Sequence, residues 1–160
     1  MPYRIPVVTQ EPVNIRPPYS VMRTVAWRPV LTAVVTDYTW RAVEVPSTSR
    51  RRVLGVVWRL IPNADTDQYL EFTIVTDTPS DNIAWKTRCA PYQAGYLFGS
   101  LGIGMSEGDS TVPDGATTIY EHRGSLPDII MQGNWYFEVK GNNLDNQTAV
   151  TVYVTYEEVI

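Results

Sequence analysis

Residues 134–160 read NWYFEVKGNNLDNQTAVTVYVTYEEVI, and this stretch decides the fold class. In its first half Trp135, Phe137 and Val139 share one parity while Tyr136, Glu138 and Lys140 share the other. That period of two is what a half-buried strand requires. In its second half Val150, Val152, Val154 and Tyr156 alternate with Ala149, Thr151, Tyr153, Thr155 and Glu157, up to the end of the sequence. Between the runs, Gly141-Asn142-Asn143 and Asp145-Asn146 supply turn chemistry. Two alternating strands about a polar turn predict an all-β protein.

Working outward, further strands are expected at 30–36, 40–45, 51–61, 68–76, 82–89 and 117–122, which with 135–140 and 148–157 makes about eight. Leu54, Val56, Trp58 and Leu60 alternate, as do Leu70, Phe72 and Ile74, and Ile83 and Trp85. Breakers stand between the runs at Pro46-Ser47, Pro62-Asn63, Thr78-Pro79-Ser80 and Asp114-Gly115. No 3.6-residue periodicity is sustained, so no helix is expected. Eight short antiparallel strands in two sheets describe a β-sandwich of jelly-roll type, an arrangement that limits exposed edges.

Two segments break the pattern. The first, 1–29, holds six of the twelve prolines and is expected to be an extended arm preceding a sandwich domain at 30–160. The second, 90–116, holds six of the ten glycines among Tyr92, Tyr96, Leu97, Phe98, Leu101 and Ile103, and is expected to be a long glycine-rich loop. Apolar residues in such a loop are costly to leave in water, so the loop is expected to meet another chain through Tyr96, Leu97, Phe98, Leu101 and Ile103. The matching contacts on the arm are Tyr3, Arg4, Ile5, Val7 and Val8, followed by Arg16 and Tyr19.

The chain has 160 residues, 44% of them hydrophobic, and a net charge of −4, which suits one domain with a sizeable core. Charge is unevenly spread: residues 1–60 carry nine arginines against three acids, and residues 61–160 carry four basic residues against fourteen acids. Such asymmetry points to an acidic or basic partner or to a copy of the same chain, unless strands from both halves interleave and mix the charges in space. The low pI and the lack of a recognisable motif argue against nucleic acid. A single cysteine forms no intrachain disulfide, and no secretory pattern opens the sequence, so a reducing cytosol is the expected place of synthesis. No apolar run approaches the roughly 20 residues of a membrane helix, and no membrane association is expected.

Catalytic and ligand-binding patterns are weak. Cys89 and His122, the only thiol and imidazole, carry no local nucleophile signature, and Cys89 shares the parity of Ile83 and Trp85, as a buried inert thiol does. Asn63, Asp65 and Asp67 have the spacing of a calcium loop, but Gln68 and Ile74 stand where glycine and a bidentate acid are needed. One Cys and one His do not make a zinc site. Gly99, Gly102 and Gly104 lack phosphate-loop spacing. No cofactor, metal or enzymatic activity is expected. Trp27 and Trp40 are the tryptophans left free to stack on a glycan.

The run Leu126-Pro127-Asp128-Ile129-Ile130, then Gly133-Asn134-Trp135-Tyr136-Phe137-Glu138-Val139, Asn142-Asn143 and residues 148–158, resembles the closing strands of small jelly-roll virion proteins of tailed bacteriophages. The resemblance covers about the last quarter of the chain. It implies a non-enzymatic structural subunit that decorates or cements a capsid or sits at the neck or tail, most often a head decoration or cement protein on the capsid surface, synthesised in the host cytoplasm. Its implied partners are copies of itself, a trimer slightly favoured, and a capsid or other virion protein. No residue set in the run separates a decoration protein from a neck or tail component, and a glycan-binding sandwich on a tail or fibre is the alternative. Arm contacts are expected to be partly electrostatic through Arg4, Arg16, Arg23 and Arg28.

Overall fold

The alternating runs form a layered pair of sheets in the computed structural model, which describes residues 21–63, 68–76, 82–89, 96–115 and 117–159. Eleven strands lie among the described residues: β1 (Met22–Trp27), β2 (Val35–Glu44), β3 (Arg51–Ile61), β4 (Tyr69–Val75), β5 (Ile83–Arg88), β6 (Tyr96–Ile103), β7 (Gly108–Asp114), β8 (Thr117–Leu126), β9 (Ile130–Met131), β10 (Tyr136–Leu144) and β11 (Ala149–Glu158). No helix among these residues is long and apolar enough to cross a membrane.

Strand pairing explains the architecture. β1 pairs with β11, β2 with β10, β3 with β6 and β4 with β5, all antiparallel, as the rungs of one long ribbon would. Rolling that ribbon brings β11 against β3 and β10 against β4. The result is a first sheet ordered β1-β11-β3-β6-β8-β7 and a second ordered β2-β10-β4-β5, the strand order of a jelly roll. The expected all-β sandwich is therefore present.

Between the sheets, inward residues of each strand make one core. Trp58 on β3 meets Phe72 on β4 at 6.2 Å, and Phe72 meets Phe137 on β10 at 6.5 Å, so three fully buried rings tie the sheets together. Val150, Val152, Val154 and Tyr156 of β11 all point inward, as their parity predicts. Opposite Trp58, Gly99 of β6 takes the space a side chain would fill: a Cβ there lies 2.0 Å from the indole carbons.

Several expectations change. Residues 22–27 of the expected arm form β1, because no proline falls between Pro18 and Pro29 and Val25 and Trp27 alternate toward the core. The strand expected at 30–36 starts only at Val35, with Val30 and Val34 exposed. Leu54 does not share the inward face: the pairing passes from Thr155↔Gly55 to Tyr156↔Val53, so Leu54 is the extra residue of a bulge and Val53 is buried instead. The segment 90–116 is not a loop throughout, since it holds β6 and β7; its glycines reflect packing under Trp58 and a positive φ at Gly104. β8 runs parallel to β6, so the first sheet is mixed.

The turn of the terminal hairpin also moves. Strand β10 continues through Gly141 to Leu144, and the chain reverses at Asp145–Thr148. There the Asp145 carboxylate accepts from the Gln147 amide at 2.8 Å and from Asn63 Nδ2 at 2.9 Å. Gln68, fully buried, accepts from Asn63 N at 2.8 Å and donates to Asn143 O at 2.8 Å. The calcium-like residue Asn63 thus belongs to a hydrogen-bonded polar plug, while Asp65 and Asp67 lie outside the described residues.

Two predictions follow from packing and polarity. Gly99→Ala is expected to cost about 1–3 kcal/mol by overpacking against Trp58, read as a lower denaturation midpoint; an unchanged midpoint contradicts the packing. The Asn63 side chain, and then the Gln147 and Thr148 amides and the Thr148 hydroxyl, hold the Asp145 carboxyl below its usual 3.8 against the opposing effect of burial. A depressed folded value stabilises the protein fully above the unfolded value and is lost as pH falls through the folded one. Asp145→Asn is therefore expected to lose about 1–3 kcal/mol near neutrality and less below about pH 4; a pH-independent difference in unfolding free energy contradicts the assignment.

Candidate functional site

Because Trp58 and Gly99 turn inward, their neighbours Val57, Arg59, Phe98 and Ser100 turn outward on the first sheet. Register assembles this outer face in rows. One row runs Thr24, Thr155, Gly55, Gly102 and Ser125, all small, with the two threonine hydroxyls 3.0 Å apart. The next runs Ala26, Tyr153, Val57, Ser100 and Arg123, and a third runs Thr151, Arg59, Phe98 and Glu121. Val57 is 57% exposed and Phe98 is 37% exposed. They line a depression of about 500 Å³ together with Arg28, Arg59, Thr151 and Tyr153, and a second of about 290 Å³ reaching Ile119 and Glu121.

Electrostatically, this face is unfinished. Arg28 donates to the Tyr153 hydroxyl and lies 5.5 Å from its ring centroid, yet neither Arg28 nor Arg59 has a carboxylate partner among the described residues. The outer face of the second sheet is the opposite case. Glu71 is buried there between Lys86 at 2.9 Å and Arg88 at 3.4 Å, and Lys140 pairs with Asp37 at 2.9 Å. Arg88 lies 4.1 Å from the Tyr69 centroid and Arg41 lies 4.0 Å from that of Tyr136. The second sheet thus pairs its outer Glu71, Lys86, Arg88, Lys140 and Asp37, whereas the patch around Val57 and Phe98 on the first offers an apolar floor with two cations beside it.

Placement of the sequence-derived contact residues is divided. Phe98 lies on the open face. Leu97 and Leu101 are 1% and 2% exposed and belong to the core, because β6 is a central strand whose odd-numbered residues face the second sheet. Ile103, 37% exposed at the end of β6, shares their parity and lies on the other side from Phe98. Tyr96 opens β6. Tyr3, Arg4, Ile5, Val7, Val8, Arg16 and Tyr19 lie outside the described residues. Arg28, expected as an electrostatic contact of the arm, lies on this face, whereas Val57, Arg59 and Tyr153 are additions from the structure; Val57 carries a signal in the sequence, as an apolar residue on the outward parity of a strand whose other parity holds Val56, Trp58 and Leu60.

The two glycan candidates lie together at one side of the core. Trp27 stacks on Tyr38 at 5.6 Å and on Trp40 at 5.8 Å, is itself buried, and closes the β1/β2 side of the core. Trp27 therefore offers no exposed ring, and Trp40 is part-buried with one face against Trp27. Cys89 is buried, accepts the Leu70 amide at 3.0 Å, and its thiol is pushed up to about 12 by burial. His122 pairs through Nδ1 with Asp109 at 2.6 Å on the first sheet, whereas Cys89 follows β5 on the second. Among the described residues no group of three His, Cys, Asp or Glu could hold a metal ion.

No family model matches this chain, and no curated protein matches it. Among solved structures, a chain from the structure of infectious bursal disease virus, Gx strain, is similar over 88% of this chain at 12% identity, with a TM-score of 0.24. This chain spans 41% of that one. At that score the likeness carries no argument about function.

In the folded protein, Cys89 is expected to stay unmodified by a thiol reagent at mildly alkaline pH until denaturant is added, since only the thiolate reacts. Prompt stoichiometric labelling of the native chain contradicts its burial.

Proposed function

We propose that the chain is a non-enzymatic structural subunit of a virion that acts by contact area, docking through the outer face of its first sheet. The observation that carries this reading is a patch on that face where exposed Val57 and Phe98 lie beside Arg28 and Arg59, neither with a carboxylate partner among the described residues, in contrast to the paired Glu71, Lys86 and Arg88 on the second sheet. Apolar floors flanked by arginines suit a protein surface carrying acidic and apolar side chains, because arginine and aromatic residues dominate interface energetics. The virion setting rests on the resemblance of residues 126–158 to the closing strands of tailed-phage virion proteins, together with the jelly-roll order. Since that fold also serves lectins and cupins, the setting is an argument by analogy. In this reading the protein is a head decoration or cement protein of a bacteriophage, located on the capsid surface.

The test uses DNA-free capsids of the phage whose genome encodes the chain. Purified wild-type chain is expected to co-sediment with them and raise their disruption temperature, whereas Val57→Asp with Phe98→Asp stays folded and loses co-sedimentation by about tenfold or more in apparent affinity. Absence of co-sedimentation by the wild type, or equal binding by the variant, overturns the reading.

A further inference from the structure

Edge strands present unpaired main-chain groups, and proteins blunt them with proline, charge or bulges. Three of the four edges here are blunted. β7 contains Pro113. β5 carries Lys86 and Arg88 and a register shift against β4. β2 carries Asp37 and Arg41 and a register shift against β10. The fourth, β1, reads MRTVAW: it has no proline, one charge, and an unbroken register with β11.

Parity shows which of its groups are open. The Glu158 amide donates to Val21 O at 3.3 Å, in line with the register Met22↔Glu157. Val21 therefore belongs with Arg23, Val25 and Trp27 to the residues whose main-chain groups turn toward β11, and Met22, Thr24 and Ala26 turn theirs to the edge where no strand of the described residues pairs. The side chains of these three residues are exposed on the outer face, Met22 by 65%.

We propose that β1 pairs antiparallel with β1 of a second copy about a two-fold axis through Thr24, making one sheet continuous across two protomers. This register alone uses all three open residues of both strands. It sets Thr24 opposite Thr24, Met22 opposite Ala26 and Arg23 opposite Val25, so large meets small and no like charges face each other. About six main-chain hydrogen bonds close the edge. The pairing is a dimer, where the sequence favoured a trimer, and it carries the row Thr24, Thr155 and Gly55 of one protomer into that of the other on a single face. It does not depend on the virion reading.

Cross-linking of the full chain reads the register directly. Directly opposed residues in such a pair have Cα atoms about 5.5 Å apart, within disulfide reach, and buried Cys89 contributes no background. Under mild oxidation Thr24→Cys is expected to give a covalent dimer of twice the 18.1 kDa chain mass. Met22→Cys and Ala26→Cys cross-link when mixed and not alone, and Thr39→Cys on β2 does not. Thr24→Pro removes an amide that β11 does not use, so sedimentation is expected to show dimerisation weakened by about tenfold or more with the thermal midpoint little changed. The proposal is overturned if Thr24→Cys cross-links no better than Thr39→Cys, or if the chain is monomeric at every concentration. It is equally overturned if dimers survive Thr24→Pro but vanish on removing residues 1–20, which assigns association to that segment.

Discussion

The contact between the Trp58 indole and the bare backbone of Gly99 is the constraint on which the rest of the molecule depends. A tryptophan in a sandwich core needs room that a facing side chain would occupy, and glycine directly across the strand pair provides it. With that room, the indole reaches Phe72 and, through it, Phe137, and the two sheets share one interior. The same contact sets the parity of β3 and β6. Once residues 58 and 99 face inward, 57 and 98 face outward, and the open apolar face is the reverse side of the core's tightest point.

Legibility in the sequence followed local periodicity. The alternation of residues 149–158 was readable because β11 is central, regular and half polar on its outer side. The strand at 96–103 was not, because glycine in a strand reads as loop until its partner across the ladder is known, and Trp58 is some forty residues away. Leu54 misled for a related reason. A bulge adds one residue, flips the parity that follows it, and leaves no mark in a single strand. The proline density of the first 29 residues outweighed a six-residue strand near its end. Of the candidate site, Phe98 was found through its hydrophobicity, whereas Arg28, Arg59 and Tyr153 gather only when register is known.

Charge gives a second example of spatial information hidden in order. The basic first part and acidic later part of the chain meet as neighbours: Arg51 holds Glu158 at 2.9 Å, and Arg52 bonds Glu157 through Nε at 2.7 Å and Asp128 at 3.0 Å. Arg51 also donates to Glu44 O at 2.6 Å, so it clamps β2 to β11. Pairing of β3 with β11 mixes the two halves, and most of the asymmetry is spent inside the protomer. Among the described residues Arg23, Arg28, Arg41, Arg50 and Arg59 have no carboxylate partner, and of these Arg28 and Arg59 flank the open apolar patch.

The order of the strands in the sheets has a consequence for how the chain can be made. β11 lies between β1 and β3, and β10 lies between β2 and β4, so the two strands made latest among those described occupy inner positions in both sheets. Until they emerge, β1 and β2 have no partner within either sheet, and their apolar faces wait in the nascent chain. Folding therefore waits for β10 and β11 and is dominated by contacts distant in sequence, a regime of slow rates and transient exposure. The blunted edges of β2, β5 and β7 then serve the unfinished protein as much as the finished one, holding off stray pairing during that interval.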